Sequence, residues 1–346
     1  METVQSRGTC AGTAERPTLA DVAQLAGVSL ATASRVLNRS ARVSPQALSR
    51  VEEAVRQLGY VRNRAQHATA RCTGAVAVVI FEEQGKYQSD SFYTRMLVGA
   101  EQRLIEAGRQ LVVITVPRRA PRVVLERYLC GGHVDGVLLV GMHDNTPVGM
   151  LRAAGVPAVS LGRPPGDQEL PYVDADNQMG AQNAVRHLMR SGRRSIATIA
   201  GPPDMSVGAD RLAGYRNTVS QNGACEEALV AYGNFTVASG EHAMLRLLDR
   251  RPRLDAVFAA SDLMAIGALR ALLRSGRKVP DDVAVVGFDD AEVARRSLPM
   301  LTTVRQPVEE MGATLVGELL RDTNCPPEDP TRHVVLSTEL VIRDSA

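Results

Sequence analysis

The sequence predicts an α/β fold in which a small three-helix headpiece precedes a two-lobed body with parallel sheets. Residues 18–38 have the spacing of two short helices that meet across a tight turn, and a third amphipathic helix follows them. The remaining stretch of about 270 residues alternates apolar, strand-like runs with helical patterns. This alternation is typical of parallel sheets covered by helices on both faces, and the length suits two lobes.

The turn between the first two helices depends on two small residues. Ala23 falls where the helices approach closely, and Gly27 falls where the turn needs a positive φ angle. The residues expected to form the buried seam are Val22, Ala26, Val28, Ala33 and Val36. The spacing therefore predicts a helix-turn-helix unit.

Polar residues at the predicted helix starts agree with this unit. Thr18 and Asp21 have the spacing of a capping box, and Ser29 can cap the second helix directly after the turn. Ser44 followed by Pro45 indicates the start of the third helix. The apolar face expected on that helix comprises Leu48, Val51, Val55 and Leu58. The alternative is a small helical bundle without a ligand, in which the seam, turn and caps coincide by chance.

Charge is distributed unevenly along the chain. Residues 1–73 hold ten Arg and five acidic residues, a balance of +5, whereas the remaining residues hold 30 basic and 33 acidic residues, a balance of −3. The net charge of +2 therefore conceals a basic front end and a mildly acidic body. A polyanion is the simplest partner for the basic part, although a scattered basic surface by itself is often only solvated.

The run LADVAQLAGVSLATASRVLN, followed by VSPQALSRVEEAVRQLGYVRNRA, closely resembles the DNA-binding headpiece of the lactose-repressor (LacI/GalR) family of transcription regulators. The resemblance continues through the chain from about Thr18. It implies a ligand-responsive, sequence-specific regulator, expected to be a repressor, with a type I periplasmic-binding-protein-like body that binds an effector. The implied divisions are a disordered leader at 1–16, the headpiece at 17–61, a hinge at 62–73 and the effector-binding and dimerisation domain at 74–346.

In this family the second headpiece helix lies in the major groove of operator DNA. The matching positions that reach base edges are Leu30, Ala31 and Arg35. Arg35 can donate to O6 and N7 of a guanine, whereas Leu30 and Ala31 offer only apolar contact, for instance to a thymine methyl group. The short polar residues expected at the DNA are Thr18, Ser29, Thr32, Ser34, Asn38 and Ser44. For Ser29 and Ser44, a role as helix cap alone is an equally good interpretation.

The sequence RNRAQHATARCTG after Tyr60 resembles the family's hinge, a segment that becomes helical in the minor groove when two subunits meet on the operator. Asn63 and Arg64 match the family pattern, and Thr69 stands where members usually place a leucine wedge. Threonine is shorter and polar, so it recovers less of the free energy spent in unstacking a base step. Either the kink is weaker in this protein or the alignment slips by one residue.

Strand-like runs in the body occupy residues 74–80, 110–116, 135–141, 157–162, 195–201, 228–233, 255–261 and 283–288, and a helix is predicted from Phe92 to Ala107. The resemblance divides the body into an N-lobe of about 74–174 and 304–330 and a C-lobe of about 175–303 and 331–346. The chain ends soon after the strand-like VVLSTELVI, which leaves no apolar heptad tail for joining dimers into tetramers. A homodimer on a pseudo-palindromic operator is therefore expected.

Polar residues cluster after the predicted strands, where open α/β sheets bind ligands. They include Asp174, Asp176, Asn177, Ser261, Asp262, Asp289 and Asp290, and Arg211 is expected to open a helix. The resemblance assigns the effector contacts to Asp289 and Arg211 first, then Ser261 and Asp176, with Phe92 as an apolar wall. Carboxylates and a guanidinium suit hydroxyl groups, so a sugar or similar metabolite is the expected effector. For each Asp the alternative is a helix cap, which we prefer for Asp262 and Asp290.

Other classes of function lack support in the sequence. There is no Walker-type phosphate loop, no GxGxxG after the first strand and no GxSxG elbow, so we expect neither an enzyme nor a cofactor. The five cysteines form no CxxC pair, and neither a signal peptide nor an apolar run of membrane-spanning length is present, which favours a cytoplasmic protein with no membrane partner. A two-lobed exported solute-binding protein and a nucleotide-using α/β enzyme are the two alternatives.

Overall fold

The computed structural model describes residues 18–37, 44–58, 73–117, 121–166, 169–221, 226–324 and 332–346. The chain divides into two compact units, Met1–Thr69, which contains the headpiece, and Ala70–Ala346, which contains the body. No helix within these described ranges is long and apolar enough to cross a membrane.

The headpiece consists of three helices, α1 (Leu19–Ala26), α2 (Leu30–Leu37) and α3 (Pro45–Leu58). The predicted capping box is present at α1, because the backbone N–H of Asp21 donates to Thr18 Oγ1 and the backbone N–H of Thr18 donates to Asp21 Oδ2. Gly27 ends α1 with a φ angle of 63°, in the left-handed region that glycine adopts without strain. The predicted helix-turn-helix is therefore confirmed.

The headpiece core contains the predicted seam with one correction on α3. Val22, Ala33 and Val51 are fully buried, and Val28 is partly buried against them. The prediction that Leu48 belongs to this core is wrong, because 42% of its surface is exposed and Ala54 takes the buried position. At 14 residues α3 is longer than the two eight-residue helices against which it packs, which leaves its first turn largely in solvent.

The body alternates strands and helices as predicted, and each predicted strand-like run contains or overlaps a strand. The strands are β1 (Ala75–Ile80), β2 (Gln110–Thr115), β3 (Gly136–Val140), β4 (Ala158–Leu161), β5 (Tyr172–Ala175), β6 (Ile196–Ala200), β7 (Val230–Tyr232), β8 (Ala256–Ala259), β9 (Ala284–Asp289), β10 (Thr302–Arg305), β11 (His333–Leu336) and β12 (Glu339–Val341). The helices are α4 (Gln84–Ser89), α5 (Ser91–Glu106), α6 (Val123–Leu129), α7 (Thr146–Ala154), α8 (Asn177–Arg190), α9 (Ser206–Ser220), α10 (Val237–Arg250), α11 (Asp262–Arg274), α12 (Glu292–Arg296) and α13 (Val308–Asn324).

Two six-stranded sheets form the two lobes. The N-lobe sheet has the order β11-β5-β4-β3-β1-β2 and is parallel throughout. The C-lobe sheet has the order β12-β10-β9-β8-β6-β7, in which only β12 runs antiparallel. Both faces are covered: along β1, Val76 and Val78 pack into one apolar cluster, whereas Ala77 and Val79 pack into another on the opposite face.

The lobe boundaries near the end of the chain differ from the prediction. We expected the C-lobe to resume at residue 331, but β11 at 333–336 pairs with β5 of the N-lobe. The last crossing between lobes therefore falls at residues 337–338, before β12 pairs with β10 in the C-lobe sheet. All of β10 lies in the C-lobe sheet, so the preceding crossing follows Arg305 and not residue 303. Strand pairing decides these boundaries, and a single strand-like run in the sequence does not reveal its neighbours.

Helices α5 and α13 approach each other closely in the N-lobe. A Cβ atom at Gly99 would lie 1.8 Å from the backbone oxygen of Glu309, and one at Gly312 would lie 2.1 Å from that of Met96. Glycine at both positions therefore permits this helix contact. The contact brings Arg95 of α5 beside Glu309 of α13, where Nε and Nη2 donate to the two carboxylate oxygens at 2.7 and 2.9 Å.

Candidate functional site

Two adjoining cavities lie between the lobes of the body. The first cavity, of about 570 Å³, is lined by the ends of β3, β4 and β5, including Ser160, Arg163 and Asp174. The second cavity, of about 430 Å³, is lined on one side by residues of the α4 region. The residues that line both are Phe92, Tyr93, Met205, Val207, Arg211 and Gln306.

Arg211 belongs to the shared wall, the set of residues that line both cavities, and three hydrogen bonds hold its guanidinium. Only 3% of its surface is exposed. Its Nε donates to Asn177 Oδ1 at 2.8 Å, and its Nη1 donates to the backbone oxygen of Ala260 at 2.6 Å and to Asp289 Oδ1 at 3.3 Å. The guanidinium also lies 3.7 Å from the ring centroid of Phe288. Burial lowers the pKa of Arg211, and the negative charge of Asp289 opposes this shift.

Asp289 lies at the end of β9 and completes this arrangement in the second cavity. Its φ angle of 118° is far from the values that a side-chain-bearing residue normally adopts, and such strain persists only where the surrounding structure imposes it. Gln306 Nε2 donates to Asp289 Oδ1 at 2.6 Å. Burial raises the pKa of Asp289 to about 7, although the charge of Arg211 acts in the opposite direction.

Asp174 supplies a second buried carboxylate, at the wall of the first cavity. Its oxygens accept hydrogen bonds from the backbone N–H groups of Arg163 and Ala175 and from Asn177 Nδ2. Burial raises the pKa of Asp174 to about 6. Because the same Asn177 accepts from Arg211 through Oδ1 at 2.8 Å, one amide bridges the acidic group of the first cavity to the cation on the shared wall.

Contacts between the lobes close the rim of the first cavity. Arg163, which follows β4, donates from Nη2 to Asp210 Oδ1 of α9 at 2.7 Å, and Ser206 Oγ donates to the backbone oxygen of Arg163 at 2.7 Å. His143 Nδ1 lies 3.1 Å from Asp204 Oδ2. The structure therefore holds the two lobes together through residues on the loops after β3 and β4, on the loop before α9 and on the first turns of α9.

Four of the five residues assigned to the effector line these cavities: Phe92, Arg211, Ser261 and Asp289. Asp176 does not, because its carboxylate caps α8 and accepts from the backbone N–H of Met179 at 2.9 Å. Ser261 lines the second cavity and also caps α11. Arg211 lies within α9, five residues after the helix begins at Ser206, and does not open it as predicted.

The helix-cap interpretation of Asp262 and Asp290 is wrong. Asp262 accepts from Thr303 Oγ1 at 2.6 Å and from the backbone N–H of Ala291 at 2.7 Å, so it joins β10 to the loop after β9. Asp290 accepts from the three guanidinium groups of Arg295, Arg305 and Arg343. Both carboxylates are buried, and neither lines the cavities described above.

Several cavity residues were not assigned from the sequence. Gln306 follows β10 directly and Asp174 belongs to β5, so their place at strand ends was the available signal. Lys86, Asp90 and Phe235 had no such signal. Lys86 lies on α4, Asp90 joins α4 to α5, and Phe235 lies on the loop before α10.

The predicted DNA-reading residues lie on the outer side of α2. Leu30, Ala31 and Arg35 are exposed, with 51% of Leu30 accessible. Ser29 Oγ accepts from the backbone N–H of Thr32 at 3.1 Å, and Ser44 Oγ accepts from that of Ala47 at 3.3 Å, so both serines cap helices as predicted. Thr18 serves in the capping box and Ser34 is partly buried. Asn38, Asn63, Arg64 and Thr69 lie outside the described residues.

Comparisons with known proteins agree with this architecture. Residues 18–63 match the model for bacterial regulatory proteins of the lacI family, and residues 185–346 match a periplasmic binding protein-like domain. The chain is 47% identical over 335 residues to the HTH-type transcriptional regulator CelR of Thermobifida fusca. The aligned region covers 95% of this chain and 98% of that relative.

Two solved structures are similar to this chain over most of its length. A transcriptional regulator CelR–cellobiose complex has a TM-score of 0.78 at 46% identity and covers 96% of this chain and 100% of that chain. A lac repressor dimer bound to operator and the anti-inducer ONPF has a TM-score of 0.70 at 27% identity, and the match covers 96% of this chain and 99% of that chain. With a helix-turn-helix headpiece, a two-lobed body and a full-length relative at 47% identity, the chain belongs to the lacI family of bacterial regulatory proteins and is a ligand-responsive, DNA-binding transcription regulator.

Proposed function

We propose that this protein is a sugar-responsive repressor that binds a pseudo-palindromic operator as a homodimer in the cytoplasm. The main support for a sugar as the effector is the pairing of charges around the two cavities. Each cation that lines them in the described structure has a carboxylate partner: Lys86 pairs with Glu82, Arg163 with Asp210 and Arg211 with Asp289. A neutral ligand with many hydroxyl groups suits such a site better than an anion, which needs unpaired positive charge.

The first candidate effector is a disaccharide of glucose. The relative at 46% identity was solved with cellobiose, and the two adjoining cavities offer space on both sides of the wall that carries Arg211. Hydrogen-bonding groups are present in each, with Asp174 and Ser160 in the first cavity and Asp289 and Ser261 in the second. We expect one ring in each cavity.

The headpiece supplies the operator contacts in this proposal. Arg35 reads a guanine and Leu30 and Ala31 provide apolar contact, while Thr18, Ser29, Thr32, Ser34 and Ser44 approach phosphates. Asn38, Asn63, Arg64 and Thr69 carry the same expectation from the sequence alone. Two headpieces then engage two half-sites, as the symmetry of a dimer requires.

We propose that the body binds its ligand without converting it. Effector binding stabilises the contacts that join the lobes, including Arg163 with Asp210, and so changes the spacing of the segments that lead to the two headpieces. The ligand thus acts by binding one state of the dimer more tightly than the other.

The experiment is a titration of the dimer on DNA. Selection from a randomised duplex pool yields an operator, and fluorescence anisotropy then measures its dissociation constant with and without cellobiose, lactose, maltose and glucose. The proposal expects sequence-selective, salt-sensitive binding whose dissociation constant changes by about tenfold or more with one of these sugars. Binding that is equal on all duplexes, or indifferent to every sugar, contradicts it.

A further inference from the structure

Helix α4 carries a buried charge pair to the second cavity. Glu82, which precedes α4, is only 6% exposed, and Lys86 donates to its Oε1 from the first turn of the helix. The helix also packs against α5, where the ring centroids of Tyr87 in α4 and Tyr93 in α5 lie 5.7 Å apart. The position of the Lys86 ammonium is therefore set both by its carboxylate partner and by the packing of the helix that bears it.

Phe235 faces this ammonium from the opposite lobe. The residue lies between β7 and α10 with a φ angle of 64°, an uncommon conformation for a side-chain-bearing residue. Its ring packs on Gly201, where an added Cβ would lie 2.3 Å from Cζ of the ring. Lys86 Nζ lies 5.5 Å from the ring centroid. The two lobes therefore meet at the second cavity through a cation and an aromatic face.

We infer that Lys86, Asp90 and Phe235 form a subsite for the second ring of a disaccharide, an inference that rests on the sugar-responsive function proposed above. The ammonium has three N–H donors, and its bond to Glu82 uses one of them. The others are suited to the hydroxyl groups of a ring held in the second cavity. Phe235 supplies the apolar surface on which the C–H face of a pyranose ring packs.

Asp90 complements these donors with an acceptor. Its Oδ1 accepts from the backbone N–H of Phe92 at 3.0 Å at the start of α5, and the carboxylate also lines the second cavity. Glu82 and Asp90 together carry one more charge than Lys86 offsets. The subsite therefore accepts a neutral ring and disfavours a ring that bears a carboxylate or a phosphate.

The position of the subsite distinguishes it from the shared wall. Arg211 lines both cavities, so its loss weakens any sugar that enters the cleft. Lys86 lines only the second cavity, so its loss should weaken a disaccharide while sparing a monosaccharide held against the first cavity. Lys86 is in this sense a residue that sets specificity for ligand length.

The test is calorimetric titration of the full-length protein with cellobiose and with glucose. We expect the wild type to prefer cellobiose and Lys86→Met to weaken cellobiose binding by about tenfold or more, with glucose binding within about twofold of the wild type. Lys86→Arg, which keeps the charge and donors, should restore most of the lost affinity. Gln88→Ala changes an exposed residue of the same helix and serves as the matched control.

The outcomes separate this inference from the proposed function. Equal losses for both sugars in Lys86→Met, or equal affinity of the wild type for both sugars, overturn the subsite and leave the sugar-responsive regulator in place. A wild type that binds neither sugar overturns the assignment of this disaccharide and the subsite with it. Phe235→Leu tests the subsite from the other lobe. We expect this variant to lose affinity for cellobiose and not for glucose. If its preference for cellobiose over glucose is the same as in the wild type, the result counts against the subsite.

Discussion

Arg95 of the N-lobe donates from Nη1 to the backbone oxygen of Asp289 in the C-lobe, at 3.3 Å. The residue whose carboxylate faces the second cavity is therefore also held through its carbonyl group by the opposite lobe. Glu309 holds the same arginine with two further hydrogen bonds, at 2.7 and 2.9 Å. Asp289 thus connects the ligand cavity to the contact between lobes.

Asp289→Ala should abolish the effector response and leave operator affinity intact. The change leaves the Arg211 guanidinium buried without its carboxylate and removes an acceptor from the cavity, so effector affinity should fall by about 100-fold or more. Anisotropy on an operator duplex, with and without sugar, measures both properties. Asp176→Ala is the control, because Asp176 caps α8 and does not line the cavities. The free energy of unfolding should drop by about 1 kcal/mol, while the effector response remains. A lost response in the control would place Asp176 in the site after all.

The stability of the body should fall as pH rises from about 4 to about 7. Burial raises the pKa of Asp174 to about 6 and that of Asp289 to about 7, from an ordinary value of 3.8. The folded body therefore holds more protons than the unfolded chain in this window, and raising the pH removes this contribution. Asp290, whose pKa its arginine partners hold at about 2, acts in the opposite direction and only below this window.

Urea denaturation at pH 5 and pH 7.5 measures this dependence. In Asp174→Asn the loss of unfolding free energy between the two pH values should shrink by about 1.4 kcal/mol, because the amide does not titrate and the pKa of Asp174, about 6, lies about one unit above pH 5. An unchanged difference between the two pH values would show that Asp174 does not contribute.

Arg35→Ala should weaken binding to the operator by roughly 1 to 3 kcal/mol and relax the preference at one base pair, because a bidentate contact to guanine is lost. Effector binding should be unchanged. The measurement compares the operator with a duplex changed at each position and with unrelated DNA. If the variant loses the same affinity on every duplex, Arg35 contacts a phosphate.

Features governed by neighbours in sequence were predictable. Gly27 and the capping box of Thr18 with Asp21 depend on residues no more than four positions away, and the structure contains both. The strand-like runs were equally clear, because strands buried on both faces are apolar throughout, as β3 is. The helix-turn-helix and the alternating body followed from these local signals.

Features that depend on distant partners were predicted less well. The side chain of Asp176 turns to cap α8, while Asp174, two residues earlier, lies on the cavity wall. Period-two alternation places both on the same face of an extended strand, so only the exact end of β5 separates them. Lys86 and Phe235 meet across the lobes, and β11 pairs with β5 across more than 150 residues of sequence. Such pairings are set by tertiary packing.

Gly99→Ala should destabilise the body by about 3 kcal/mol or more, because the new Cβ would lie 1.8 Å from the backbone oxygen of Glu309 and α5 must separate from α13. Gly317→Ala is the matched control on α13, where no described atom lies within 4 Å of the added Cβ. That change should be neutral or stabilise by about 0.5–1 kcal/mol, since alanine favours a helix interior. Thermal and urea unfolding compare the two variants, and similar losses in both would mean that the close helix contact is not what Gly99 permits.

Operator and sugar should influence each other by the same factor. Thermodynamic linkage requires that, if cellobiose changes the dissociation constant of the operator, the operator changes that of cellobiose equally. Calorimetry of the dimer with cellobiose, with and without a saturating operator duplex, gives one factor, and anisotropy with and without saturating cellobiose gives the other. A finite factor that agrees in both experiments shows that the dimer holds the sugar and the operator at the same time, at separate sites. A sugar that displaced DNA by competing at the exposed face of α2 would instead show no binding to the saturated complex, and the cleft formed by Arg211 and Asp289 would then not be the effector site.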